Sequence, residues 1–241
     1  MALYDLIRYA HIFAGTVALA CFWIAAILRK GSGGHRIVGR TFLVSMGVVA
    51  LSGVFIAVAA FLRGRPVFGS FLLYLVVIVA TPTWLGWRAL REKRDVKGYT
   101  GPVYRVLAWV NIASGAALLT LGLLFRDPLF AGLSAVALFI GPSMLLFARQ
   151  EKPAGLWWLQ RHYLFMLGAG AGAHVAFLNI GLSRLLPEDW GTTALRISFF
   201  LPFVPFLLAR FWLDRKYGVR PHLLYDRSAT SSNPTRLSKT G

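Results

Sequence analysis

Four of the five histidines fall in or beside long apolar stretches, where few other side chains could do acid–base or ligand chemistry: His11, His35, His162 and His174. Their spacing suggests two tiers. With a helical rise of about 1.5 Å per residue, His11 and His174 lie roughly 8–13 Å below one boundary of the apolar layer, and His35 and His162 sit together at the other. Paired imidazoles in each leaflet are what two bis-histidine b-type haems would need, with electrons hopping between them. Gly15 and the run Gly168 to His174 (GAGAGAH) leave room for a flat macrocycle. Helix geometry opposes part of this, because twelve residues separate His162 from His174 and place them roughly 120° apart around one helix. The plainer expectation is a neutral imidazole bonded to a nearby carbonyl, or, for His35, a side chain at the lipid headgroups. Gly168 with Gly172 likewise forms a small-xxx-small pattern that needs only helix packing.

Other chemistry is scarce. No Lys, Asp or Glu lies in the middle of an apolar stretch, which removes the carboxylate relay of a proton-coupled pump and the lysine of a retinal protein. No serine or cysteine nucleophile stands beside a His–carboxylate arrangement or in a Gly-x-Ser-x-Gly turn, so hydrolase chemistry is not expected. The lone Cys21 excludes an internal disulfide and any cysteine-based metal site within the chain. Prolines interrupt three stretches, at Pro82, at Pro142, and at Pro202 with Pro205; each frees a carbonyl, as in the broken helices that line transport paths. Asn111, Ser114 and Asn179 are the remaining deep polar groups, able to line a cavity or to bond between helices. The segment Arg29 to Arg40 combines four glycines with His35 and four cations, Arg36 and Arg40 among them. It could bind a phosphate, an anionic lipid headgroup or the polar end of a quinone.

These residues need elements to position them, and the composition says which. A chain with 57% apolar and only 15% charged residues cannot hide its apolar surface from water. The net charge of +17 sits in short runs between apolar blocks, a membrane pattern and not a nucleic-acid one. A spanning helix needs about 20 apolar residues, and seven segments qualify: Leu6–Leu28, Thr41–Leu62, Val67–Trp87, Val106–Phe125, Leu129–Ala148, Tyr163–Leu182 and Ala194–Leu213. The expected fold is therefore all-α, a seven-span bundle over residues 1–220, followed by a polar, disordered tail over 221–241. Arg126-Asp127 before Pro128 makes the fourth and fifth spans a helical hairpin. No cleaved signal peptide is expected, because no basic segment precedes the first apolar run.

Orientation follows from the cations. Only Arg8, Arg63, Arg65, Arg126, Arg184 and Arg196, six of the 26 Lys and Arg residues, fall on one side. Basic loops resist translocation, so the richer side is expected in the cytoplasm and, with an odd span number, the N-terminus outside. Trp84, Trp87, Trp109, Trp157, Trp158 and Trp212 fall at the inner ends and Trp190 at the outer, as indoles at headgroups should. The expected location is the inner (plasma) membrane. Expected partners are the bilayer, its anionic headgroups and, through small-residue helix faces, a second copy or another membrane subunit.

The first hundred residues resemble a family of predicted bacterial membrane proteins known as domain of unknown function 2306. The resemblance rests on His11 with Gly15 in the first span, on His35-Arg36 and Gly39-Arg40 before the second, and on Trp87-Arg88-Ala89-Leu90-Arg91 after the third. It implies a multi-span bundle with His11 and His35 as marked polar positions, and no established activity. The family's later His-Arg element has its nearest counterparts here in Tyr104-Arg105 and in Arg161-His162 with Met166.

Overall fold

Prolines and short polar side chains set where the helices begin. The computed structural model describes residues 2–150, 153, 155–178 and 199–218. Its helices are α1 (Ala2–Ile27), α2 (Gly33–Leu62), α3 (Pro66–Arg91), α4 (Val96–Tyr99), α5 (Pro102–Leu124), α6 (Pro128–Ala148), α7 (Trp157–Ala176) and α8 (Phe203–Lys216). Pro66, Pro102 and Pro128 occupy first-turn positions, where a missing N–H costs nothing. Among the described residues there is no strand.

Among the described residues, five stretches are long and apolar enough to cross a membrane: Ala2–Ile27, Gly33–Leu62, Pro66–Arg91, Val96–Leu124 and Pro128–Ala148. Large apolar side chains, among them Leu6, Ile27, Val44, Leu62, Leu124 and Leu208, point outward from the bundle. In water so much bare apolar surface would be a liability; against lipid it is the ordinary exterior of a multi-span membrane protein. Residues 179–198, which hold the end of the expected sixth span and the start of the seventh, lie outside the described residues, as does the tail.

One start differs from expectation. The second span, expected to begin at Thr41, is helical from Gly33, because the Ser32 side chain accepts the His35 backbone N–H at 3.2 Å and caps α2. His35, Arg36 and Arg40 therefore project from the first two turns of a helix and not from a glycine-rich loop.

The helices α1, α2, α3 and α7 close a ring, each touching the next and α7 returning to α1. Outside it, the α5–α6 hairpin docks through α5 on α3, and α8 docks on α7. Arg126 takes a left-handed backbone (φ 51°) and Asp127 then caps α6 through the N–H groups of Leu129 and Phe130, giving the tight turn expected between these two helices. Since lipid is as apolar as leucine, association rests on close packing and interhelical hydrogen bonds. Glycines supply the closeness. A Cβ on Gly122 would lie 2.6 Å from the backbone nitrogen of Ala131, and one on Gly141 would lie 2.6 Å from the carbonyl oxygen of Ala108. Between α3 and α7, a Cβ on Gly172 would meet Val79 at 2.7 Å. The Tyr74 hydroxyl donates to the Leu133 carbonyl and ties α3 to α6.

Gly122→Ala should lower the stability of the detergent-solubilised protein by about 1–3 kcal/mol, because the clash is with backbone that cannot yield. Gly47→Ala, which meets nothing within 4 Å, should change it by less than about 0.5 kcal/mol. Thermal melts of the two variants beside the unsubstituted chain check this.

Candidate functional site

At one end of the ring two imidazoles come from diagonal helices. His35 is on α2 and His162 on α7, and each is fixed through Nδ1 by a backbone carbonyl of a helix between them: Ala25 of α1 at 3.1 Å, and Gly86 of α3 at 2.9 Å. A carbonyl only accepts, so Nδ1 carries the proton in both rings and Nε2 keeps its lone pair. Neither Nε2 has a hydrogen-bond partner among the described residues. His162 lies within electrostatic reach of both His35 and Lys30. An Nδ1–H anchored on a carbonyl is how proteins orient an imidazole whose other nitrogen binds a metal.

Lys30 completes this end. Its Nζ donates to the carbonyls of Ala25 at 2.8 Å and Ala26 at 2.7 Å, satisfying the last turn of α1. Partial burial, and then the nearby Lys216 ammonium, hold its pKa below the usual lysine value.

The other two histidines are spent differently. His11 donates Nδ1–H to Ser52 Oγ at 2.8 Å, and Ser52 passes its own proton to the carbonyls of Val48 and Val49. His174 donates Nδ1–H to Gly170 O at 2.7 Å and accepts the Trp23 indole N–H on Nε2 at 2.9 Å, so no lone pair is left on the ring for a ligand. Trp23 stands twelve residues beyond His11 on α1, about 18 Å along the axis. The structure does not bring His11 and His174 together. The Nε2 lone pairs of His35 and His162 would thus be available to hold a haem iron, whereas that of His174 is taken by Trp23.

The remaining candidates fall in varied places. Pro82 is buried in α3 opposite Gly168. Asn111 is fully buried and clamps α5 to α3, donating to Thr81 Oγ1 at 3.0 Å and to its own Leu107 carbonyl at 2.8 Å. Pro142 lies on the exposed side of α6, Pro202 is buried at the start of α8, and Asn179 lies outside the described residues. Arg36 and Arg40 are exposed on α2.

Sequence reasoning passed over Asp214. It lies just beyond the expected end of the seventh span, yet it is 3% exposed. It accepts a hydrogen bond from the Tyr163 hydroxyl, lies 3.5 Å from Gln160 Nε2 and pairs with Arg210 at 3.6 Å. The i,i+4 spacing of Arg210 and Asp214 was the available signal. Trp23 was passed over too, for want of any pattern that would link it to His174.

Asp214→Ala would leave Arg210 without its partner at a half-closed interface and remove the anchor of Tyr163. It should cost about 3 kcal/mol, whereas Tyr163→Phe should cost about 1–3 kcal/mol, and both should free α8 to proteolysis before the rest of the bundle. Limited proteolysis with thermal melts measures the order of release. Comparison of this chain with known protein-family models, with curated proteins and with solved structures finds no match.

Proposed function

We propose that this chain is a seven-span protein of the inner (plasma) membrane, with its N-terminus outside and its C-terminus in the cytoplasm. We propose further that it carries electrons through one b-type haem held between His35 and His162 at the cytoplasmic end of the ring. The span count rests on α7 and α8, which continue the alternation of the five longer apolar helices, and the direction rests on the lopsided cations.

One observation carries the haem reading: two imidazoles on diagonal helices, each with Nδ1–H pinned to a backbone carbonyl and Nε2 bare. Facing side chains of a helix bundle are where such bundles build cofactor sites. Bound there, the haem would supply one-electron chemistry. The protein's part is to fix both tautomers, to orient both rings, and through Lys30 to place a cation that favours the reduced, more negative state. The transport reading draws less support, since Asn111 is committed to Thr81 and Pro142 faces away from the bundle.

The test is a visible spectrum of the detergent-purified full chain. A Soret band and a reduced-minus-oxidised α band are expected, lost in His35→Gln and in His162→Gln and kept in His11→Gln and His174→Gln. A stoichiometric preparation without haem absorbance, or a spectrum that depends on His174, would overturn the assignment. Reporter fusions after Gly241 and within residues 92–98 should both report the cytoplasm; a periplasmic signal from either would reverse the proposed direction.

A further inference from the structure

A second feature at the same end shares Lys30 with the histidine pair and otherwise uses different residues. Between the end of α1 and the end of α8 opens a cleft of about 440 Å³. One wall is apolar, with Ile27, Leu28 and Leu213, and the mouth carries Arg29, Lys30 and Lys216. Lys216 Nζ stands over the Trp212 ring at 4.7 Å and near that of Tyr217 at 5.9 Å, so the cation is held at the cleft and not left to wander in solvent.

The charges in this mouth are unbalanced. An ammonium has three donors, and Lys30 spends two on the Ala25 and Ala26 carbonyls, leaving one. Among the described residues, no carboxylate lines the cleft. Asp214, on the same helix as Lys216, is committed to Tyr163 and Arg210 on the face packed against α7. Lys30 and Lys216 thus line one cleft with the second ammonium opposing the charge of the first, and among the described residues no acidic side chain lines the cleft with them. Such an arrangement is stable when a bound anion supplies the missing charge.

We infer that the α1–α8 cleft is a binding site for one anionic phospholipid of the cytoplasmic leaflet, its phosphate between Arg29, Lys30 and Lys216, its glycerol edge against Trp212 and Tyr217, and an acyl chain along Ile27, Leu28 and Leu213. A soluble anion would use the cations and leave the apolar wall bare, whereas a lipid uses both. Basic pockets between helices on the cytoplasmic side bind lipid headgroups by this combination. The site rests on the proposed membrane direction but not on the haem, so loss of the haem spectrum leaves it standing.

The test uses the purified full chain in neutral detergent, titrated with phosphatidylglycerol, phosphatidylcholine or inorganic phosphate, and read by native mass spectrometry and by thermal melting. Phosphatidylglycerol should bind as one retained molecule and raise the melting temperature; phosphatidylcholine and phosphate at the same concentration should do neither. Lys216→Gln should weaken retention about fivefold and Arg29→Gln/Lys216→Gln further, each charge removed counting similarly. These variants spare Lys30, which also caps α1, so their folding is not at stake. Lys97→Gln/Arg149→Gln, in the other basic cleft at the ends of α4 and α6, should leave retention unchanged. Equal binding of phosphatidylcholine, an equal shift with phosphate alone, or retention that follows Lys97 and Arg149 in place of Lys216 would each overturn the site.

Discussion

Close contact between α3 and α7 determines where most of the other polar groups lie. The two helices run antiparallel and meet where Gly172 and Gly86 present no side chain, so the backbone of α3 comes within reach of side chains on α7. That is why the Gly86 carbonyl can accept the His162 Nδ1–H; a Cβ at position 86 would press on the tip of the Met166 side chain. The same approach closes the ring through α1, placing Phe22 against Gly170 and setting Trp23 beside His174. Since dispersion falls steeply with distance, small residues at these points do more for the bundle than large ones could.

Polar side chains deep in the protein work mainly as pins between helices. His11 meets Ser52, Asn111 meets Thr81, Trp23 meets His174, Tyr74 meets the Leu133 carbonyl and Tyr163 meets Asp214, and each pair joins two different helices. A polar group surrounded by hydrocarbon has few alternatives, so each pair also fixes the rotation of its helices. His35, His162 and His11 each have a hydrogen-bond partner on Nδ1 and none on Nε2 among the described residues, whereas His174 is engaged through both ring nitrogens.

Much of this architecture was legible in the residues. Apolar length predicted α1, α2, α3, α5 and α6 but not the short α4, because lipid imposes a length rule that soluble folds lack. Arg126-Asp127-Pro128 announced the hairpin, since a charged pair before a proline can scarcely continue a helix. The start of α2 was misplaced because its cap, Ser32, stands among glycines that read as loop. The histidines show the limit most clearly. Depth along a helix can be counted from sequence, and it placed His11 and His174 at one level. Which neighbour a side chain turns to depends on helix tilt and rotation, which counting cannot supply. Asp214 was missed for a related reason: a span boundary drawn one residue early left a buried carboxylate just outside the seventh span.

The α5–α6 turn bears on how the chain enters the bilayer. Arg126 and Asp127 are the only ionised side chains between two apolar helices, and they are opposite in sign. Asp127 is already engaged with backbone N–H groups, and glycines at the interface bring the two helix backbones together. Such a pair of helices can be released sideways from the insertion machinery as one preassembled wedge, carrying almost no net charge across the hydrocarbon. Biogenesis would then proceed by docking this wedge on α3, with the amino-terminal helices already in place.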